Sequence, residues 1–252
     1  MTALLPILTV TGLLAIWEIL SRTDFLPPEL PPPSEVTSWI LTHLGATELW
    51  AAVGRTLLHW SFGLLIGVAV GALVGTVMAS IPWVHELLLG TVEFFRPIPV
   101  VVYLPIMLLL FGARPQVVII LAAVASTWPM LLQTLYGVKA VDPVTRDTAR
   151  VYGLTSWQRL AWVTMPSMLP YFGTGVRIAS SITLLAAIAV ELIGAVPGLG
   201  NLLNTYAANG IYPATYGIII MIGLLGVVLN VMFERLEHQA LRWHPSQRVV
   251  AA

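Results

Sequence analysis

Long apolar runs alternate with short polar breaks along this chain, without the strict alternation of a half-buried strand. A bilayer core of roughly 30 Å takes about 20 apolar residues in helix. Six runs approach or reach that length: residues 4–20, 57–81, 87–110, 117–138, 171–196 and 214–233. In lipid a backbone must pair its own N–H and C=O groups, so each run is expected to be helical. The pattern predicts an all-α polytopic membrane protein with about six transmembrane helices in a single domain, 1–252. The first run has neither a basic leader nor a clear small-residue cleavage site, and is read as a retained span.

Two runs carry further detail. The third holds Pro97, Pro99 and Pro105, which free backbone carbonyls, so a kinked helix packed against protein or water is expected. The second carries Gly63, Gly67, Gly71 and Gly75, with Ala79 at the same spacing. Four residues is just over one helical turn, so the glycines form a stripe along which another helix can approach closely. The stripe serves packing within one subunit or a seam between two. Between the first two runs, residues 23–54 form an external connector, stiff at Leu26-Pro-Pro-Glu-Leu-Pro-Pro-Pro-Ser34 and then a short amphipathic helix over 34–44.

Composition narrows the class. The chain is 58% hydrophobic and 10% charged, with a mean hydropathy of +0.88. A soluble domain would carry about 25% charged residues. Net charge is zero, which gives no electrostatic basis for binding nucleic acid, and cysteine is absent. The five histidines (His43, His59, His85, His238 and His244) are scattered without metal-ligand spacing, so neither a metal nor an enzyme is expected. Lys139, Arg146, Arg150, Arg159, Arg177, Arg235, Arg242 and Arg248 fall on one side of a six-span topology, and Arg22, Arg55 and Arg114 on the other. The excess marks the cytoplasmic side, so a multi-pass protein of the cytoplasmic membrane with both termini in the cytoplasm is expected. The tail from His238 is expected to lie along the inner leaflet or fray.

The segment 139–170 is polar and basic in an otherwise apolar chain. Asp142-Pro143 suits the N-cap and first position of a helix that Gly153 would end. Thr155 or Ser156 then caps a second short helix from Trp157 to Val163, with Pro166 marking its end. Trp157 is either an anchor for a partner's pocket or, like Trp162, a residue of the membrane interface.

This loop resembles the Glu-Ala-Ala signature of ABC-importer permeases: E-A-A, three residues, G, nine residues, I-x-L-P. Asp147, Thr148 and Ala149 stand at the first three positions, Gly153 at the glycine, and Val163, Met165 and Pro166 at the close. Asp147 shortens the reach of the usual glutamate, and Thr148 departs from alanine. Arg96-Pro-Ile-Pro99, Phe111-Gly112, Gly175-Val-Arg-Ile178, Glu191 and Gly198-Leu-Gly200 look like the nitrate/sulfonate/taurine/bicarbonate branch. The resemblance implies a type I importer permease (MetI-like), a second permease copy, an external binding protein or lipoprotein, and two cytoplasmic ATPase subunits holding ATP and Mg²⁺. It implies ATPase coupling through Asp147, Thr148, Ala149, Gly153, Leu154, Thr155, Ser156, Trp157, Arg159 and Pro166. The resemblance leaves sulfonates, taurine, nitrate, bicarbonate and thiamine-precursor pyrimidines open as the solute, with a small anion expected. The chain has no G-x-x-x-x-G-K-[ST] phosphate loop of its own. The competing reading is a secondary transporter or channel working without an ATPase.

Charges within the spans are costly and face protein or water. Glu93 and Arg96, three apart, can pair on one helical face, or Arg96 can serve an anion's path. Ser126, Thr127 and Trp128 line that path or hold helices together. Glu191 pairs with an arginine, gates the outer mouth, repels anions, or has a structural partner. Glu18 lies in the first span.

Overall fold

The computed structural model describes residues 4–23 and 25–241, and every regular element among them is helical. In chain order these are α1 (Leu4–Arg22), α2 (Pro33–His43), α3 (Thr47–Ser80), α4 (Pro82–Phe95), α5 (Leu104–Phe111) and α6 (Pro115–Lys139). There follow α7 (Pro143–Val151), α8 (Ser156–Arg159), α9 (Met165–Gly194), α10 (Leu199–Ala208) and α11 (Tyr212–Ala240). Among the described residues, four continuous helices are long and apolar enough to cross a membrane: Thr47–Ser80, Pro115–Lys139, Ser156–Gly194 and Tyr212–Ala240. The third expected span is divided. Pro82–Phe95 and Val100–Phe111 meet at 84°, and count together as a fifth crossing if the bent pair is one span. Pro97 and Pro99 occupy the break, where each removes a backbone donor.

α3 and α6 form the centre of the bundle. Gly63, Gly67, Gly71 and Gly75 are all buried. A β-carbon on Gly63 would come 2.7 Å from Ala122 Cβ, and one on Gly71 would come 2.6 Å from the Thr127 carbonyl. The stripe therefore serves packing within the subunit, bringing the α3 backbone onto α6. Close approach of two helices is favourable in lipid because dispersion between backbones replaces the missing hydrophobic drive.

Several boundaries differ from the sequence reading. α3 begins ten residues before the expected 57, because Glu48-Leu-Trp50 and Ala51-Ala52 continue its first turns without a breaker. Residues 199–208, expected as connection, form α10, which at about 15 Å is too short to cross a bilayer. The short helix after Thr155 does not stop at Pro166. Residues Leu160–Thr164 form a π turn in which the Met165 N–H bonds the Leu160 carbonyl, and the helix then continues as α9. A widened turn accommodates Pro166, which lacks an N–H and whose ring would crowd the preceding turn of a regular helix. The tail also begins later than expected, since α11 runs through His238 to Ala240. Arg242, Trp243, His244 and Arg248 lie outside the described residues.

Glu18, near the end of α1, finds its partners in the connector. It accepts hydrogen bonds from the Ser34 N–H (3.0 Å), Ser34 Oγ (2.8 Å) and Arg22 Nε (2.6 Å). α2 opens with Pro32 at its N-cap position and no cap from its own side chains, and Glu18 supplies an acceptor there.

Candidate functional site: a coupling elbow, a membrane cavity and a buried carboxylate

The elbow is built from short-range signals. Asp142 caps α7, accepting from the N–H groups of Val144 (3.3 Å) and Thr145 (3.2 Å), and Pro143 follows it. At the other end Gly153 takes φ +75°. Its N–H reaches the Arg150 carbonyl (2.9 Å), and the Leu154 N–H reaches Ala149 (3.1 Å), which is the Schellman pattern. Thr155 and Gln158 then form a reciprocal capping box at α8. The turn between the two helices is thus held by the backbone bonds that close α7 and the side-chain cap that opens α8.

Most residues of the expected coupling set sit on this elbow. Ala149 is buried, Leu154 half-buried, and Asp147, Thr148, Gly153, Thr155, Ser156 and Trp157 exposed. Asp147 pairs with Arg150 at 3.1 Å, and Arg159 donates to Ser156 Oγ. Pro166 stands apart, as the second residue of α9 just beyond the π turn. Large apolar side chains point outward: Val151 is 87% exposed, Tyr152 79% and Trp157 73%. Trp162 is exposed as well. The elbow lies at the end of the bundle where α3 stops, because Ala79 and Ser80 share a cleft with Arg146, Arg150, Trp157 and Arg159.

The residues proposed from sequence for a path divide into two groups. Arg96 and Trp128 line a cavity of about 450 Å³ between the α4–α5 break, α6 and α9, together with Pro97, Pro99, Pro129 and Leu185. Its walls are mostly apolar, and its size suits a small ligand. Ser126 does not reach it. Its hydroxyl is fully buried near the Gly63, Ala122 and Ala123 carbonyls, while Thr127 bonds Ala123 (2.8 Å). Those hydroxyls serve helix packing. Glu93 and Arg96 are both exposed, and no ion pair joins them among the described residues. Arg96 keeps helical geometry at the C-cap of α4, and it lines the cavity instead of pairing with Glu93.

Glu191 is placed elsewhere, wholly buried at the far end of the bundle from the elbow. Its Oε2 accepts from Thr56 Oγ1 (2.8 Å) and from the Gly200 N–H (3.0 Å). Its Oε1 lies 2.8 Å from His59 Nδ1, and Thr56 in turn accepts from the Leu199 N–H at 2.9 Å. The carboxyl group and Thr56 thus satisfy the Gly200 and Leu199 amides that open α10, where the helix dipole also favours negative charge. Ala195 turns the chain back through a left-handed conformation (φ 52°). Gly198 and Gly200 then pass so close to Glu191 that any β-carbon there would overlap it. Glu191 is a clamp joining α3, α9 and α10, and its partners among the described residues are Thr56, His59 and the Gly200 amide rather than an arginine.

Sequence reasoning missed Thr56, His59 and α10. The available signal was the three-residue spacing of Thr56 and His59 on one face of α3, an apolar helix that would otherwise bury neither.

A family model described as "Binding-protein-dependent transport system inner membrane component" matches residues 63–240. The chain is 30% identical over 246 residues to the taurine transport system permease protein TauC of Escherichia coli (strain K12), covering 95% of this chain and 90% of that one. It is 28% identical to a putative aliphatic sulfonates transport permease protein, SsuC, of the same organism, covering 96% and 92%. It is also 28% identical to the bicarbonate transport system permease protein CmpB of Synechocystis sp. (strain ATCC 27184 / PCC 6803 / Kazusa), covering 89% and 84%. Among solved structures, an inward-facing MetNI methionine ABC transporter chain superposes with a TM-score of 0.63 at 19% identity, covering 81% of this chain and 97% of that one. A chain of an amino acid ABC transporter superposes with a TM-score of 0.64 at 21% identity, covering 81% and 97%. These two similarities bear on the fold, which is that of the MetI-like permeases.

Proposed function

Because this chain belongs to the binding-protein-dependent transport system inner membrane components, we propose that it is the permease subunit of an ATP-driven importer of a small oxyanion. Taurine, sulfonate and bicarbonate permeases are among its relatives, and the substrate class is carried over from them. In this reading the N-terminus and the α7–α8 elbow are cytoplasmic, and the elbow docks on ATPase subunits that hold ATP and Mg²⁺. A second permease copy completes the pore, and an external binding protein delivers the solute.

One observation carries the coupling proposal. From Ser156 to Gly194 the chain is a single helical path of 39 residues, joined through the π turn. At 1.5 Å per residue that is about 58 Å, enough to cross the bilayer and project beyond it. A push on Trp157 therefore reaches Glu191 through a continuous helix rather than a flexible loop. Glu191 is hydrogen-bonded to α3 and α10, so displacement of α9 is passed to both. Alternating access then follows as a two-state shift in the packing of α9, driven by the partner's nucleotide cycle.

The exposed apolar side chains of the elbow support the docking step. Val151, Tyr152 and Trp157 cluster beside arginines on a rigid double cap, where a buried aromatic anchor would supply much of the binding energy. Within the membrane, the Arg96–Trp128 cavity is the candidate passage: an apolar chamber with one guanidinium to attract an anion. Co-purification tests the reading. Affinity-tagged wild-type protein should retain its ATPase, and Trp157→Ala should release it while the permease still accumulates in the membrane. Retention of the ATPase by that variant would contradict the docking assignment.

A further inference from the structure

α4 carries an acidic side chain towards the middle of the bilayer on its unpacked side. The helix packs through Val84, Leu88 and Val92, spaced four apart, against Met78 of α3 and Leu131 and Leu135 of α6. Glu86, Gly90 and Glu93 fall on the opposite side, and all three are exposed. α4 starts at Pro82, directly after α3 stops at the elbow end of the bundle. Glu86 is about 6 Å along the helix from that end, within reach of the headgroup layer, whereas Glu93 is about 16 Å along it. In a hydrocarbon core of roughly 30 Å, Glu93 stands near mid-depth.

Arg96, at the helical C-cap of α4, is likewise exposed, and neither side chain joins an ion pair among the described residues. Charges within a span face protein or water rather than lipid tails. The surface that covers this side of α4 has to offer a cation to Glu93 and an anion to Arg96 at one depth. A second copy of the same chain does both at once. Copies related by a two-fold axis along the bilayer normal face each other at equal depth, and their contacts are reciprocal. Glu93 and Arg96 differ by about 4.5 Å of helical rise, which a long arginine side chain spans. A face open to water would leave the two charges unlinked.

We propose that the Glu93 side of α4 is the contact between two copies of this chain, held by two reciprocal ion pairs in which Glu93 of each copy meets Arg96 of the partner subunit. The contact rests on the importer reading, in which a second permease completes the pore, and adds the face and the side chains that meet it. Arg96 also lines the chamber of about 450 Å³, so the contact and the candidate passage share one side chain. While the pairs hold, the guanidinium is neutralised. When the copies part, it is free to meet a solute anion.

Two differently tagged full-length chains, expressed together and purified in detergent, test the contact through capture of one by the other. Wild-type chains should capture each other. Glu93→Arg on both copies sets arginine against arginine, and Arg96→Glu on both sets glutamate against glutamate; each should lower capture by about tenfold or more. One copy with Glu93→Arg beside another with Arg96→Glu restores both pairs, and capture should return. A pair within one copy, or charges facing water, gives no such rescue. Undiminished capture by either variant alone, or no recovery in the mixed pair, would overturn the contact. A second measurement avoids the charge variants altogether. The chain has no cysteine, so Gly90→Cys places a single thiol on the same face, where a β-carbon meets nothing within 4 Å. A bifunctional maleimide should link two such copies in membranes, and absence of the linked dimer would equally overturn the contact. ATP-driven uptake measured in parallel separates the two readings. Uptake that needs ATP without rescue in the mixed pair removes this contact alone, whereas rescue with uptake independent of ATP removes the importer reading alone.

Discussion

His59 Nδ1 and Glu191 Oε1 lie 2.8 Å apart, although 132 residues separate them and both side chains are almost wholly shielded from solvent. The pair fixes the end of α9 against α3, and Thr56 and Gly200 complete its hydrogen bonding. A buried polar cluster of this kind is weak evidence for net stability, since desolvation offsets much of the attraction. Its clearer role is geometric. It selects one registration of α3, α9 and α10 among those that apolar packing alone would allow.

Removing the carboxylate should therefore be costly. Glu191→Ala leaves the Gly200 amide, the Thr56 hydroxyl and the His59 ring without the carboxyl group they share, and should destabilise the protein by about 1–3 kcal/mol for each buried polar group left unpaired. Glu191→Gln keeps the shape and one acceptor oxygen and should lose less. Thermal unfolding in detergent, followed by the fluorescence of the nine tryptophans, measures both variants. Equal midpoints for Glu191→Ala and wild type would mean that the clamp bears no strain.

Gly67 and Gly90 provide a matched contrast. A β-carbon at Gly67 would meet the Ala123 carbonyl at 2.5 Å and overlap the Ser126 hydroxyl, whereas one at Gly90 has nothing within 4 Å. Gly67→Ala should force α3 from α6 at a cost of about 1–3 kcal/mol. Gly90→Ala, in an open stretch of helix, should be neutral or stabilise by about 0.5–1 kcal/mol. The same unfolding assay decides between these outcomes and a stripe whose role lies between subunits, for which the isolated chain would tolerate both changes.

The caps of the elbow should affect coupling more than folding. Asp142→Ala removes the acceptor for two amides, and should loosen α7 by about 1 kcal/mol. Amide hydrogen exchange should then rise over 143–151 while the spans keep their protection. Protection unchanged over α7 would show that packing against the bundle, not the cap, holds that helix.

Local chemistry was the most legible part of the sequence. Asp142-Pro143, Gly153 and Thr155 each act through neighbours within five residues, so their roles could be read without knowing the fold. The glycine stripe predicted close approach of another helix but not which one, because spacing says nothing of the partner. Pro166 misled: its stop signal assumes a regular helix, and a π turn absorbed it. Glu191 was the least legible. Its partners come from α3 and from a short helix hidden in what reads as a loop, so an intramembrane carboxylate could equally have sought an arginine. Ser126 and Arg96 looked alike as candidates for the path, and only the break at Pro97–Pro99 put one in a cavity and left the other in a helix seam.

Solute accumulation in sealed vesicles tests the central claim most directly. The chain, reconstituted with its ATPase and binding protein, should concentrate solute only when ATP is supplied on the side that the elbow faces. Trp157→Ala should abolish that accumulation while leaving the permease in the membrane. Uphill uptake by vesicles that contain this chain and no ATPase would contradict the account.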